Sequence, residues 1–359
     1  MPRDYLHNHP QFTDLIRIVA AEQGIDPGLV EKDYWIMHCL YGLRQLGLTF
    51  ELKGGTSLSK GFQIINRFSE DIDIRIEPPA EMDVKNGKNQ TRPAHIKSRA
   101  DFYDWLTKTI KIDGITSVER DTAVDNKDLT SAGIRLTYKN LITPVNGLRE
   151  GVLLEAGFAK VTPNEPKDIS SWAYDYAADK VEIIDNRANA VACYDPGYTL
   201  VEKLQTISTK YRRQQERGDM PVDFMRHYYD VYSLLRQPSV QAFVGTPPYR
   251  QHKDDHFPQA DNKNIRENAA FQLPDKKRVS STSAPMRRAA RFTIKASRAS
   301  RKFLQRWISG KTASKQPGRA RSGTPCRCVL THVSQHYLLS PTHSLILGPF
   351  RRDVAPSPT

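Results

Sequence analysis

Residues 53–77 read KGGTSLSKGFQIINRFSEDIDIRIE. Asp71 and Asp73 stand two positions apart, and the period-2 alternation of a strand puts both on one face together with Arg75. Ile72, Ile74 and Ile76 take the other face, which suits a core. Two neighbouring carboxylates repel each other, and a divalent cation relieves that repulsion. Upstream, Gly54 and Gly55 lack a Cβ and let a ligand approach the backbone closely. Thr56 and Ser57 then open a helix, where free backbone N–H groups and hydroxyls suit a phosphate. Mg2+ held by one or two carboxylates plus substrate phosphates is the standard arrangement for phosphoryl transfer. Asp-x-Asp alone is more often the solvated face of an edge strand. The Gly-Gly-Thr-Ser helix start, 16 residues before Asp71, turns the reading toward a metal and nucleotide site.

Other elements must hold these groups in place. Helical spacing of Leu15, Ile16, Ile18 and Val19 predicts a helix over 11–23, closed by Gly24. Asp26 and Pro27 cap a second helix, LVEKDYWIMHCLYGLRQL. A strand is expected at 48–53, a helix from Thr56, and the Asp71 strand at 71–77. Residues 78–95 read as a loop and 98–111 as a helix. Strand-like runs follow at 115–121, 131–139 and 151–160. Residues 163–195 are mixed, and 198–217 and 221–236 read as helices. The expected organisation is a helical preface (1–47), an α/β core (48–162), a helical C-terminal part (163–278) and a tail (279–359).

Gly-Gly, a helix, then Asp-hydrophobic-Asp on a strand resembles the signature of the DNA polymerase beta-like nucleotidyltransferase superfamily. The longer form, GGTSLSK followed by RFSEDIDI, is similar to the AbiEii/AbiGii nucleotidyltransferase toxins of bacterial toxin–antitoxin systems. VEKDYWIMHCL is similar to that family's N-terminal helix. The resemblance covers about residues 10–275 and leaves out the tail. It implies an α/β (α+β) fold, a mixed sheet with flanking helices and a helical C-terminal part. It also implies an NTP substrate, Mg2+ or Mn2+ as cofactor, an RNA acceptor such as a tRNA 3′ end, a cognate antitoxin protein, and a cytoplasmic bacterial setting in phage defence by abortive infection. Some relatives are described as GTP-binding, so the base is left open.

The superfamily takes a third carboxylate from a neighbouring strand, and Glu155 in GVLLEAGF is the candidate. An acid in so apolar a strand is costly unless paired or metal-linked; a salt bridge to Arg135 or Lys160 is the competing account. The family places a Lys in an E-K-L helix and an Asp in an R-x-x-x-D-h helix. Glu202-Lys203-Leu204 and Arg226 to Asp230 match, so the resemblance implies that Lys203 and Asp230 join the catalytic set. A Lys203–Asp230 bridge between two helices is the structural alternative, and both can hold at once. Lys60 lies one turn past Thr56, able to reach phosphates or else to sit on a solvated face. Arg67 and Arg75 could pair with phosphate or with the acids. Lys32 and Asp33 suggest a structural ion pair. His227 suits a core position better than a metal site. Lys210-Tyr211-Arg212-Arg213 is compatible with RNA contact but commoner as a solvated helix end.

The net charge of the 359 residues is +13, which invites a nucleic-acid reading until it is located. Residues 279–359 hold 15 Lys/Arg and one acid, Asp353, while residues 1–278 hold 38 basic and 39 acidic side chains. The body is therefore neutral and the excess sits in the tail. Ser, Arg, Pro and Thr dominate the tail, as in out-of-frame translation of GC-rich DNA. A phosphate-gripping arm and a disordered extension are the competing accounts. Cys326-Arg327-Cys328 lacks the further spacing of a metal site. Four cysteines, Cys39, Cys193, Cys326 and Cys328, are too scattered for a disulfide framework. No apolar run approaches the roughly 18 residues of a membrane helix, and the N-terminus has no signal-like stretch. Three other functions compete with transfer to RNA. They are transfer to a small molecule such as an aminoglycoside, transfer to a protein, and an inactive frameshifted relative that binds nucleic acid through its tail.

Overall fold

The computed structural model describes residues 3–87, 89–218 and 224–272. The tail (279–359), with its Cys326-Arg327-Cys328, and the last residues of the expected 163–278 part lie outside the described residues.

Two helices open the fold, α1 (Phe12–Gln23) and α2 (Pro27–Gln45). Gly24 ends α1 at φ 66°, the left-handed conformation that needs no Cβ. The Asp26 side chain accepts from the Gly28 N–H, and Pro27 occupies the first turn of α2, which satisfies a donor that the helix start leaves free. Then come β1 (Phe50–Lys53), the short α3 (Gly54–Thr56) running into a wide turn at Ser57–Gly61, and β2 (Asp71–Ile76). The next elements are α4 (Pro93–Thr109), β3 (Ile115–Asp121), β4 (Ser131–Tyr138), β5 (Val152–Gly157), β6 (Asn164–Ile169), α5 (Trp172–Ala177) and β7 (Ala188–Tyr194). Four helices finish the described chain: α6 (Pro196–Arg217), α7 (Phe224–Leu234), α8 (Pro238–Phe243) and α9 (Pro247–His256).

The strands form one seven-stranded mixed sheet in the order β3-β4-β5-β2-β1-β7-β6. β2 runs antiparallel to β1 and parallel to β5. Its burial alternates as the sequence predicts, with Ile72, Ile74 and Ile76 buried and Asp71, Asp73 and Arg75 only partly so. The isoleucines join Ile134, Leu136, Val152, Leu154 and Ala156 in a core with buried residues of α1, α2, α4 and α5. A second core gathers Leu200, Leu204 and Ile207 of α6, Val231 and Leu234 of α7, Val240 of α8 and Tyr249 of α9. Leu58 and Ile65, from the segment between β1 and β2, belong to this second core.

The α/β fold with a mixed sheet, flanking helices and a helical C-terminal part is as expected. The boundary expected at 162/163 cuts the sheet, because β7 pairs with β1 and β6 with β7. The sheet therefore closes at Tyr194, and the helical part starts at α6. Helix α4 begins at Pro93 inside the expected 78–95 loop, since proline's fixed φ and missing N–H suit a first helical turn. Among the described residues, no helix is long and apolar enough to cross a membrane.

Candidate functional site

The register of three strands builds the site. Lys53, last residue of β1, lies opposite Asp73, and Asp73 lies beside Glu155 on β5. With Asp71 two residues earlier on the same face of β2, the three carboxylates expected from sequence line one face of neighbouring strands, though their oxygens do not all lie within 4.8 Å of one another. Arg135, the proposed salt-bridge partner of Glu155, pairs instead with Asp121 and is registered with Leu153.

The glycines fit closely around this cluster. Gly54 has φ 71°, and a Cβ there would lie 2.0 Å from the Asp73 Oδ2. No residue with a side chain fits between that backbone and that carboxylate. A Cβ on Gly55 would lie 2.5 Å from the Ser69 Oγ and 3.0 Å from an Arg67 guanidinium nitrogen. Thr56 donates its hydroxyl to the Asp71 carbonyl at 2.5 Å. Thr56 and Ser57 are both buried. The Thr56 hydroxyl therefore ties α3 to β2, and a phosphate could meet backbone here rather than that side chain.

Lys203 on α6 and Asp230 on α7 come together: the Lys203 Nζ lies 3.0 Å from Asp230 Oδ2. Arg67 adds a two-pronged pair to the same carboxylate, with Nε 2.7 Å from Oδ1 and a terminal nitrogen 2.8 Å from Oδ2. Asp230 is fully buried. Burial pushes its carboxyl up, but the Arg67 hydrogen bonds and the Lys203 charge outweigh burial and hold it below the usual carboxylate range. One of the three Lys203 N–H donors is used on Asp230, which leaves others to offer.

Three expectations are corrected. Lys60, expected among the nucleotide contacts, commits its ammonium to the buried Asp33 at 2.6 Å and lies over the Trp172 ring. Lys32 and Asp33 do not pair with each other, because adjacent helix residues project about 100° apart. Lys32 donates to the Arg149 carbonyl at 2.5 Å and to that of Gly151. Arg75 pairs with Glu51 and Glu77 rather than with the cluster. Beside these, His227 is buried as expected, with its Nε2 2.9 Å from the Lys210 Nζ. Arg212 is taken up by Asp261 and Glu216.

Sequence reading missed Arg149, Glu70 and Glu31, and gave Lys32 and Asp33 the wrong partners. Arg149 places a guanidinium nitrogen 3.5 Å from Asp71, while its own N–H donates to Glu70 at 3.0 Å. Glu31, Lys32 and Asp33, all buried, clamp three separate segments. Glu31 accepts from the N–H groups of Leu141 and Ile142 at 2.8 and 3.0 Å. Lys32 holds the turn that carries Arg149 into β5, and Asp33 holds Lys60 and the start of α5. The only signal was a run of charges inside an otherwise apolar helix.

Three hard oxygen ligands on one wall suit Mg2+ or another hard divalent cation. The electrostatics agree. Desolvation, then Glu70 and Asp73, push Asp71 from 3.8 up to about 6. Desolvation, then Asp73 and Asp71, push Glu155 from 4.5 up to about 7. Folding thus favours the protonated acids. Their contribution is complete below the unfolded values and is lost as pH rises through about 6 and 7. Glu155→Gln should therefore stabilise the chelator-treated protein, by an amount that grows from pH 5 to pH 8 and reaches a few kcal/mol. Other titrating groups contribute alike to both proteins and cancel in the comparison with the parent. Thermal unfolding of both proteins at each pH tests this, and a pH-independent difference would contradict the cluster.

The family described as nucleotidyl transferase AbiEii toxin, Type IV TA system, matches residues 38–298. The match runs past Arg278 into the basic stretch, so family likeness does not end at the change of composition. Among solved structures the chain is similar to MenT4, a nucleotidyltransferase toxin from Mycobacterium tuberculosis, with 15% identity, TM-score 0.36, and coverage of 82% of this chain and 97% of that one. It is also similar to an antigenic nucleotidyltransferase-like protein from Paracoccidioides brasiliensis, with 12% identity, TM-score 0.31, and coverage of 63% and 94%. No curated protein matches.

Proposed function

The chain belongs to the AbiEii nucleotidyltransferase toxin family of type IV toxin–antitoxin systems, and from that premise we propose that it transfers NMP from an NTP to an RNA acceptor, a tRNA, with Mg2+ at its carboxylates. The family makes it a nucleotidyltransferase with an NTP substrate and an antitoxin partner. The observation that carries the finer reading is the pairing of Asp73 with Glu155 beside Asp71, directly against the Gly54 backbone.

Asp71, Asp73 and Glu155 would hold the cation. The chemistry a divalent cation supplies at such a wall is Lewis acidity toward phosphate and hydroxyl oxygens. The chain's own groups do the positioning. Gly54 and Gly55 leave room for a phosphate to lie against backbone. Lys203, fixed by Asp230, presents its remaining N–H donors to the β- and γ-phosphates. Arg67 holds Asp230 so that Lys203 keeps one rotamer. In-line attack then needs an acceptor hydroxyl delivered along the carboxylate wall. A concavity lined by Arg135, Thr137, Arg149 and Glu150 adjoins that wall through Arg149. The positive balance of Arg149 and the Asp121-held Arg135 over Glu150 suits a polyanionic acceptor such as RNA.

Incubation of the purified chain with each labelled NTP and Mg2+ tests this, with total RNA, aminoglycosides and protein as separate acceptors. Label is expected in the tRNA fraction and is expected to vanish with chelator. Label in the small-molecule or protein fraction alone would overturn the RNA reading, and no incorporation by a folded chain would overturn transfer.

A further inference from the structure

A second group of ligand-type side chains lies in the helical part, away from the carboxylate wall. Glu202 on α6 and His252 and His256 on α9 each bring a ligand atom to within 4.8 Å of the others. The two histidines are four residues apart and share a face of α9, with ring centroids 3.8 Å apart. His256 donates its Nδ1–H to the His252 carbonyl at 3.0 Å. That bond fixes the tautomer and leaves Nε2 with a free lone pair, 4.0 Å from a Glu202 carboxylate oxygen. The Tyr194 hydroxyl, at the end of β7 and buried, lies 3.0 Å from the His252 Nε2 and orients the second ring. Partners of this kind characteristically aim imidazoles at a metal.

We propose that Glu202, His252 and His256 bind zinc(II) and clip α9 to α6. Two imidazoles and one carboxylate make a donor set of intermediate softness, which favours zinc over Mg2+. The Glu202 and His256 side chains are 30% and 34% exposed, so metal can enter and water can complete a tetrahedron. The site is structural rather than hydrolytic. Helical zinc peptidases place a glutamate directly after the first histidine as general base, and Lys253 stands there. Glu202 immediately precedes Lys203, so the clip fixes the rotation of α6 about its axis and with it the direction of Lys203. This inference does not depend on nucleotidyl transfer, because the metal would bind whether or not transfer occurs.

The test uses the full chain carrying Asp71→Asn and Asp73→Asn, so that the carboxylate wall no longer competes for metal. Zinc is titrated in, bound metal is counted by elemental mass spectrometry, and thermal unfolding is followed. One bound equivalent and a raised midpoint are expected. His256→Gln and Glu202→Gln should each weaken binding by at least about tenfold. Co2+ in place of zinc reports on the ligands without mutation. Its visible bands should show nitrogen and oxygen donors, with no thiolate charge transfer from Cys326 or Cys328. No zinc bound by the folded chain, unchanged binding in a folded His256→Gln protein, or a thiolate signature would each overturn the proposal.

Discussion

Asp71→Ala is expected to abolish transfer of labelled NMP while leaving the fold intact. Removing a metal-holding carboxylate forfeits several kcal/mol of transition-state charge stabilisation, a rate loss of at least about 10^3-fold. Stability should respond differently. Asp71 is pushed up to about 6 by burial and by its acidic neighbours Glu70 and Asp73, so in the metal-free fold it is a source of repulsion. Taking it away should leave the unfolding midpoint unchanged or higher. The joint readout matters: activity lost with the midpoint kept identifies a functional carboxylate. A lost midpoint would make Asp71 a structural partner of Arg149. Undiminished transfer would refute the metal assignment.

Asp230→Ala is expected to be the most destabilising single change in the helical part. The fully buried carboxylate is shared by Arg67 and Lys203. Removing it leaves two cations, themselves mostly buried, facing each other without a counter-charge. Breaking a buried pair in this way costs about 3–5 kcal/mol, a large share of the roughly 5–15 kcal/mol that holds a typical domain folded. Asp230→Asn keeps the volume and one acceptor oxygen, so it should lose less. Urea unfolding midpoints of the two variants check the order. Equal midpoints in Asp230→Ala and the parent would show that the network adds nothing to stability. In a double-mutant cycle with Lys203→Met, a coupling near zero would separate the lysine from the buried pair.

The parts of this molecule visible in its sequence are those where one element alone sets the pattern. The Asp71–Ile76 alternation reports its face because a strand has period 2, and Gly54 announces a close approach because only glycine omits a Cβ. Glu155 was legible as an acid in an apolar run, but its place beside Asp73 is set by strand pairing, and the sequence suggested a neighbouring-strand carboxylate only through the family resemblance. What stayed hidden depends on distant pairing. Asp33 meets Lys60, 27 residues on, and neither position says so. Edge strand β6 reads NEPKDI and is mostly exposed. Its proline and charges suit an unpaired edge, and the same features conceal it. Helix α9, PPYRQHKDDH, is so polar that helical spacing gives little signal, although it carries both histidines of the proposed clip.

Leu58 and Ile65 lie between the two strands of the site yet pack among α6–α9. That placement sets the order in which a working site can exist. A chain leaves the ribosome N-terminus first, at about 5–20 residues per second, so β1, β2 and β5 emerge well before Asp230. Until α7 follows them, Arg67 lacks the carboxylate it closes on, and Leu58 lacks the helices it packs against. A half-made chain carries Asp71, Asp73 and Glu155 but not the Lys203–Asp230 pair that the proposed site also uses.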